Sequence, residues 1–346
     1  MTRKLSHDET SYFCEQLALM LNAGMELGNG IEILCEDIED KKIQAVCKSL
    51  MDGLNNNETL GQTMKNSGYF PEYAVKMVNI GEMTGRLQTV LEGLSEFYQT
   101  RAELDRSIRS AVLHPLMLLA MMTAVIVVLI VLVIPMFGEI FSQFDASITG
   151  VVKSTVDFAY GFGITLLIVL LAVIVLSVVC AAITGFQPVK KAFAGFAAVF
   201  PLTKRISRQF SLSRIAGAMS MMVESGISPD EMLEITADLV NDKKLKDKLL
   251  KARERVLNGE FFADVISTAG IFPAIYAKSL KIAYSSGHFD NAWKKLSERC
   301  TDAAMESSSG IVAFIEPAIV IVLTTVIGAI LLSVMIPLVN IMSVLG

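Results

Sequence analysis

Shifted against itself by 202 residues, this chain matches in one register from position 24 to position 135 without a gap. Gly24 meets Gly226, Glu32-Ile33 meets Glu234-Ile235, and Asp40-Lys41-Lys42 meets Asp242-Lys243-Lys244. Pro71 and Pro273 close the matching strings GYFP and GIFP, and Gly85 falls on Gly287. Leu94-Ser95-Glu96 meets Leu296-Ser297-Glu298, Pro115 meets Pro317, and Ile134-Pro135 meets Ile336-Pro337. One coincident proline is chance; this series in a single register is a tandem duplication, and whatever the first half folds into the second half must fold into again.

Hydropathy then divides each copy. Charged residues make up 19% of the 346 and hydrophobic residues 53%, a balance shifted toward membrane proteins. Residues 115–137, 164–184 and the apolar run 318–339 contain no Asp, Glu, Lys, Arg or His. About 22 helical residues rise roughly 33 Å, enough for a hydrocarbon core of about 30 Å. The first and third runs belong to the repeat, and the second returns the chain to its starting side, so both copies share one orientation and form a parallel repeat. Of 30 Lys and Arg, only Lys153 lies outside residues 1–114 and 185–317. That asymmetry places the two large segments in the cytoplasm, with the connector and the C-terminal tail outside. Phe137, Phe141, Phe144, Phe158, Tyr160 and Phe162 flank or lie in the connector as an aromatic belt would.

The segments between the spans read as helical. Ser6 with Glu9, and Ser228 with Glu231, have the spacing of a capping box, the second with Pro229 at the first helical position. Helices are expected over 8–23, 27–39, 41–54, 60–66 and 71–80, then a long one from Thr84. Phe13, Leu17, Met20 and Leu21 form one apolar stripe on the first. The expected fold is an all-α membrane protein with two tandem cytoplasmic bundles of about six helices each and three transmembrane helices. Its segments are a bundle (1–114), a span (115–137), an external connector (138–163), a span (164–184), an interfacial segment with the second bundle (185–313), a span (314–340) and an external tail (341–346). The five cysteines, Cys14, Cys35, Cys47, Cys180 and Cys300, form no CxxC pair and are expected as free thiols.

Catalytic and nucleotide motifs find no support. The glycine-bearing stretch IGEMTGRL (80–87) lacks the GxxxxGK[ST] pattern, and no Gly-Lys dipeptide occurs in the chain. It joins helix to helix, so Gly85 and its counterpart Gly287 read as helix-ending turns. Three scattered histidines (His7, His114, His288) provide no metal-ligand spacing. Spans without ionisable residues disfavour the main alternative, a transporter or channel subunit with cytoplasmic helical regulatory domains. An external connector of about 25 residues leaves little sensing surface for a receptor. Gly24, Gly226, Pro71, Pro273, Gly85 and Gly287 are the structural turns of the repeat. His114-Pro115 and Glu316-Pro317 stand at equivalent membrane-entering positions. Residues 1–100 have 15 acids and 8 bases, an acidic face suited to a basic partner, whereas 185–214 has six bases and no acids and reads as riding the anionic inner leaflet. Gly81 and Glu82, replaced by Ala283 and Tyr284 in the second copy, are candidate partner contacts.

These residues together resemble the type II secretion system F family, which includes the type IV pilus platform proteins. The resemblance is borne by Ala23-Gly24, Tyr69-Phe70-Pro71, GEMTGRL (81–87), His114-Pro115 and Glu316-Pro317, and it covers nearly all of both copies. The second copy departs from it at AYSSGHFD (283–290), and the short segment before the first helix suggests a shorter pilus, competence or Tad-like member. The resemblance implies a multi-pass inner-membrane platform of bacteria, not an enzyme, and no cofactor is expected. It also implies partners: a cytoplasmic assembly ATPase, pilin or pseudopilin subunits, other inner-membrane components, membrane lipid and further copies of the chain, with no nucleic acid.

Overall fold

The computed structural model describes residues 4–36, 40–133, 201–240 and 242–345, with a few positions between 135 and 172. Among them there is no strand. The first copy builds α1 (His7–Asn22), α2 (Leu27–Cys35), α3 (Lys41–Asn55), α4 (Leu60–Ser67), α5 (Glu72–Thr84) and α6 (Leu87–Val128), which passes into a π-helical turn (Leu129–Val133). The second builds α7 (Pro201–Glu224), α8 (Pro229–Leu239), α9 (Lys243–Leu257), α10 (Phe262–Thr268), α11 (Ala274–Ser285) and α12 (Phe289–Leu345). The duplication therefore reappears as a repeated order of helices.

Local chemistry explains the boundaries. Ser6 and Glu9 form the expected box at the start of α1, the Ser6 Oγ accepting from Glu9 N at 3.2 Å and Glu9 Oε2 from Ser6 N at 2.5 Å. Ser228 does precede α8, but its side chain makes no capping bond there, so the second box is not formed. Asp40 caps α3 through Lys42 N and Ile43 N, and Asp242 caps α9 through Lys244 N. Each supplies an acceptor to amides that have none within the helix. Every described residue with a left-handed backbone has its counterpart in the other copy: Gly24 with Gly226, Asn57 with Gly259, Gly68 with Gly270, and Gly85 with Gly287.

α2 ends at Cys35, short of the expected 39, and α5 runs on to Thr84, past the expected 80. On α1 the buried stripe is Phe13, Cys14, Leu17 and Ala18, while Met20 and Leu21 are only partly buried against the same core. Fully burying Phe13 and Leu17 contributes about 1.5–3 kcal/mol each.

Cys35 and Cys47 correct the expectation of free thiols. They form a disulfide between the end of α2 and α3, with Cα atoms 5.9 Å apart. The two helices pack against each other, which brings together cysteines that no spacing rule pairs. The second copy has Ala237 and Leu249, both buried, at these places. Cys14 and Cys300 are free and buried, and burial pushes each thiol up to about 12. Cys180 lies outside the described residues.

The helices of both copies gather in one compact unit, Met1–Arg106 with Lys204–Ser307. A second unit, Ser107–Thr203 with Ser308–Gly346, holds the apolar parts of α6 and α12. Three spans are expected, but among the described residues a single helix, Leu87–Val133, is long and apolar enough to cross a membrane. The second expected span lies mostly outside the described residues, as do Lys153 and the six aromatic residues of the connector. The third falls within α12, many of whose side chains are likewise outside them. In the apolar part of α6 Met117 and Met121 are exposed, as is Leu132 in the π-helical turn. Pro115 sits inside α6, and Glu316-Pro317 inside α12. The π-helical turn directly precedes Ile134-Pro135, where a proline withdraws one amide from the helical ladder.

Gly85 and Gly287 test the repeated corner. A Cβ at either would meet nothing within 4 Å, so the cost of substitution is conformational. Val at either position should lower stability by about 1–2 kcal/mol, and Asn at Gly85 by clearly less, since Asn57 adopts the same region with φ 58°. Thermal unfolding of the three variants checks this, and equal losses for Val and Asn would refute it.

Candidate functional site

The glycine-bearing stretch that resembles a loop is mostly helix. α5 continues through Gly81, Glu82 and Met83 and stops at Gly85, whose φ is 69°. Arg86 N then donates to Gly81 O at 2.9 Å, and in the second copy His288 N donates to Ala283 O at 3.0 Å. Both are the wide closing bond of a Schellman turn.

Glu82 has a structural task that its position in sequence does not reveal. Its Oε1 accepts from Leu60 N at 2.6 Å and its Oε2 from Gly61 N at 3.0 Å. The carboxylate thus caps the first turn of α4, a neighbouring helix, instead of serving the dipole of the helix that follows it. A Cβ on Gly61 would lie 3.0 Å from Glu82 Oε2 and would collide with the Asn79 side chain, so glycine at 61 makes the cap reachable. Gly81 is buried, and a Cβ there would press on Leu87 and Val90 at 3.1 Å. Of the candidate partner contacts, Gly81 is buried and permits helix packing, and the half-buried Glu82 gives both carboxylate oxygens to α4.

The second copy meets the same corner with aromatic packing. Ala263 and Tyr284 replace Gly61 and Glu82, and α10 starts without a side-chain cap. Tyr284 instead packs edge-on against Phe289, centroids 5.1 Å apart. Phe289 and Phe262 in turn surround the fully buried Trp293 at 6.0 and 6.3 Å. The aromatic cluster replaces the polar cap as one unit.

Charge gathers elsewhere, in a cleft of about 370 Å³ lined by α6, α7 and α12. Arg101 extends from α6 and Arg214 from α7. Arg101 lies over the Phe97 ring at 5.3 Å, and Arg214 Nη1 donates to Leu239 O at 3.1 Å while its buried Nε has no partner. Neither guanidinium forms an ion pair among the described residues. Burial, and then the charge of Arg101, pushes Arg214 down to about 10; burial also lowers Arg101. Asp105 is bonded to His7 Nδ1 at 2.7 Å. Burial raises its carboxyl, but that bond and the two arginines bring it below the ordinary range. The rim adds Glu96, Glu103, Glu224 and Lys294. Two poorly neutralised guanidiniums are suited to receiving a carboxylate or phosphate. Sequence reading missed this cleft, because Arg101 and Arg214 belong to different copies and only packing joins them.

The remaining expected positions fall where backbone geometry requires them. Gly24 and Gly226 follow α1 and α7 with φ of 67° and 68°. Pro71 and Pro273 cap α5 and α11 with extended ψ of 143°. Among the described residues no three His, Cys, Asp or Glu side chains gather closely enough to hold a metal ion.

Comparison with known proteins gives two matches to one family model, "Type II secretion system (T2SS), protein F", over residues 13–135 and 215–337. The two matches are offset by the same 202 residues as the internal repeat. Among similar relatives, the type IV pilus assembly protein PilC of Myxococcus xanthus is 21% identical over 94% of this chain and 78% of its own length. The type 4 fimbrial assembly protein PilC of Pseudomonas putida is 23% identical over 94% and 82%. The type II secretion system protein F of Pseudomonas aeruginosa is 21% identical over 99% and 85%.

Replacing Glu82 by Gln should destabilise the protein by about 1–2 kcal/mol, because one of the two amides of α4 would then face an NH₂ group. Glu92→Gln, at an exposed position in α6, should change stability by less than about 0.5 kcal/mol. Chemical denaturation of both variants decides it; an unchanged midpoint for Glu82→Gln would remove the capping role.

Proposed function

The chain belongs to the type II secretion system protein F family, and on that premise we propose that it is the inner-membrane platform of a type II secretion or type IV pilus-like machine. The observation that carries this reading is the double family match, laid over two copies of one helical bundle, each continuing into a long, partly apolar helix. A platform of this kind couples a cytoplasmic assembly ATPase to the extraction and polymerisation of pilin or pseudopilin subunits. Other inner-membrane components, lipid and further copies of the chain are its remaining partners. It is not an enzyme. Energy comes from the ATPase, and the paired bundles pass it on as rigid bodies.

The proposed topology has three spans, at 115–137, 164–184 and 314–340, with the N-terminus and both bundles cytoplasmic and the C-terminus external. Its support is the distribution of Lys and Arg, 29 of 30 on one side. The acidic first copy is the proposed docking face for a basic partner surface, with electrostatic attraction setting encounter and register.

Two measurements test the proposal. In a chain whose five cysteines are replaced by serine, Ser147→Cys and Ser343→Cys should react with an impermeant thiol reagent added outside intact cells. Asn56→Cys and Asn258→Cys should react only after the membrane is opened, and outside labelling of position 258 would overturn the topology. Deleting the chain should abolish surface fibres or secretion by its machine, with the assembly ATPase still made. Full assembly in the deletion strain would overturn the platform role.

A further inference from the structure

The two copies meet through different faces. The first contributes α5 and α6, and the second contributes α7 and α8, with Lys294 of α12 reaching Glu96 through an exposed bridge of 4.0 Å. Lys76 on α5 bonds Asp238 on α8 at 3.2 Å. Gly93 on α6 makes room for Met221 on α7, whose side chain a Cβ there would strike. A Cβ on Gly217 of α7 would stand 3.5 Å from the Phe97 ring of α6. Such a contact is heterologous, so each copy retains the face that its sibling used.

Burial at equivalent positions follows this asymmetry. Met221 is 4% exposed and Ile235 7%, whereas their counterparts Leu19 and Ile33 are 53% and 60% exposed. In the other direction, Tyr73 is 6% exposed, and its counterpart Ile275 is 72% exposed, with Ile282 one helical repeat further along α11 at 70%. The fold of each copy does not require these side chains to be apolar and open. Among the described residues an α1–α2 face and an α11–α12 face are therefore uncovered, each the equivalent of a face that is covered elsewhere in the same molecule.

Their charges are opposite. The α1–α2 face presents Glu15 and Glu36, and the α11–α12 face presents Lys278, Lys295 and Arg299, all exposed. Transposing the observed contacts by the repeat shift sets Lys278 against Glu36, where Lys76 meets Asp238. It sets Arg299 over Glu15, where Phe97 covers Gly217, and Lys295 beside Leu19, where Gly93 admits Met221. One transposed pair is repulsive: Lys294 with Glu96 becomes Glu92 with Glu298, but the parent bridge is exposed and 4.0 Å long.

We infer that the chain binds a second copy of itself head to tail, the α11–α12 face of one molecule seating on the α1–α2 face of the next in the register of the internal contact. Exposed isoleucines and Leu19 provide the apolar middle of this surface, and the Glu–Lys and Glu–Arg pairs fix partner and register. Continued from copy to copy, a heterologous contact closes into a ring or runs on as an open series.

Charge reversal and rescue test this on the full-length chain in detergent or nanodiscs. The variants are Glu15→Arg with Glu36→Lys, Lys278→Glu with Arg299→Glu, and all four together. The wild type should associate, as followed by light scattering across a concentration series. Each double variant should need about tenfold more protein or higher for half-assembly, because like charges then face each other. The fourfold variant should return to within about threefold of wild type, since the opposite charges are re-paired. Helicity and thermal midpoint should stay unchanged in all three, as the four positions are exposed. A wild type that remains monomeric, a double variant that assembles normally, or a fourfold variant that stays dissociated would each overturn the inference.

Discussion

A helix that stops inside a bundle must find partners for its last carbonyls and its first amides, and short helices turning back on one another meet that demand at every corner. Here the demand is met by a left-handed residue at four places in each copy, at the same four places. The side chains around those places have changed freely. Asn57 has become Gly259, Glu82 has become Tyr284, and Leu60 has become Phe262, yet the corners keep their geometry. The core can be rebuilt so extensively because the backbone at its corners is not negotiable.

Once the corners are fixed, the two copies can specialise. The first stabilises the start of α4 with a carboxylate brought across from α5 and closes α2 onto α3 with a disulfide. The second does without both. Ala237 and Leu249 stand at the places of the disulfide, and Phe262, Phe289 and Trp293, whose rings meet edge-on or stacked, pack the corner of the cap. Polar bonds are directional and aromatic packing is bulky, so the same corner is held by specificity in one copy and by volume in the other.

Features that act within one turn of helix were legible in the sequence. The repeat, the helical class, the cap at Ser6 and the turn at Gly85 all follow from neighbours in the chain. Features that depend on two helices meeting were not. Glu82 caps an amide 22 residues away, Cys35 pairs across a helix connection, and Arg101 and Arg214 share a cleft although each copy contributes only one. Periodicity reports which face of a helix is buried but not which helix buries it. Ser228 makes no capping bond although its spacing from Glu231 matches that of Ser6 from Glu9, because spacing identifies candidates only.

Lys76 and Asp238 lie on copies of one ancestral unit that are now parts of a single polypeptide. Fusion turns their encounter from a bimolecular event into an intramolecular one, at effective concentrations that reach the millimolar range for short tethers. It also guarantees one of each kind, so the ratio of the two specialised halves cannot drift with expression level. A pair of separate genes would have to keep that ratio by regulation; here the covalent chain keeps it by arithmetic.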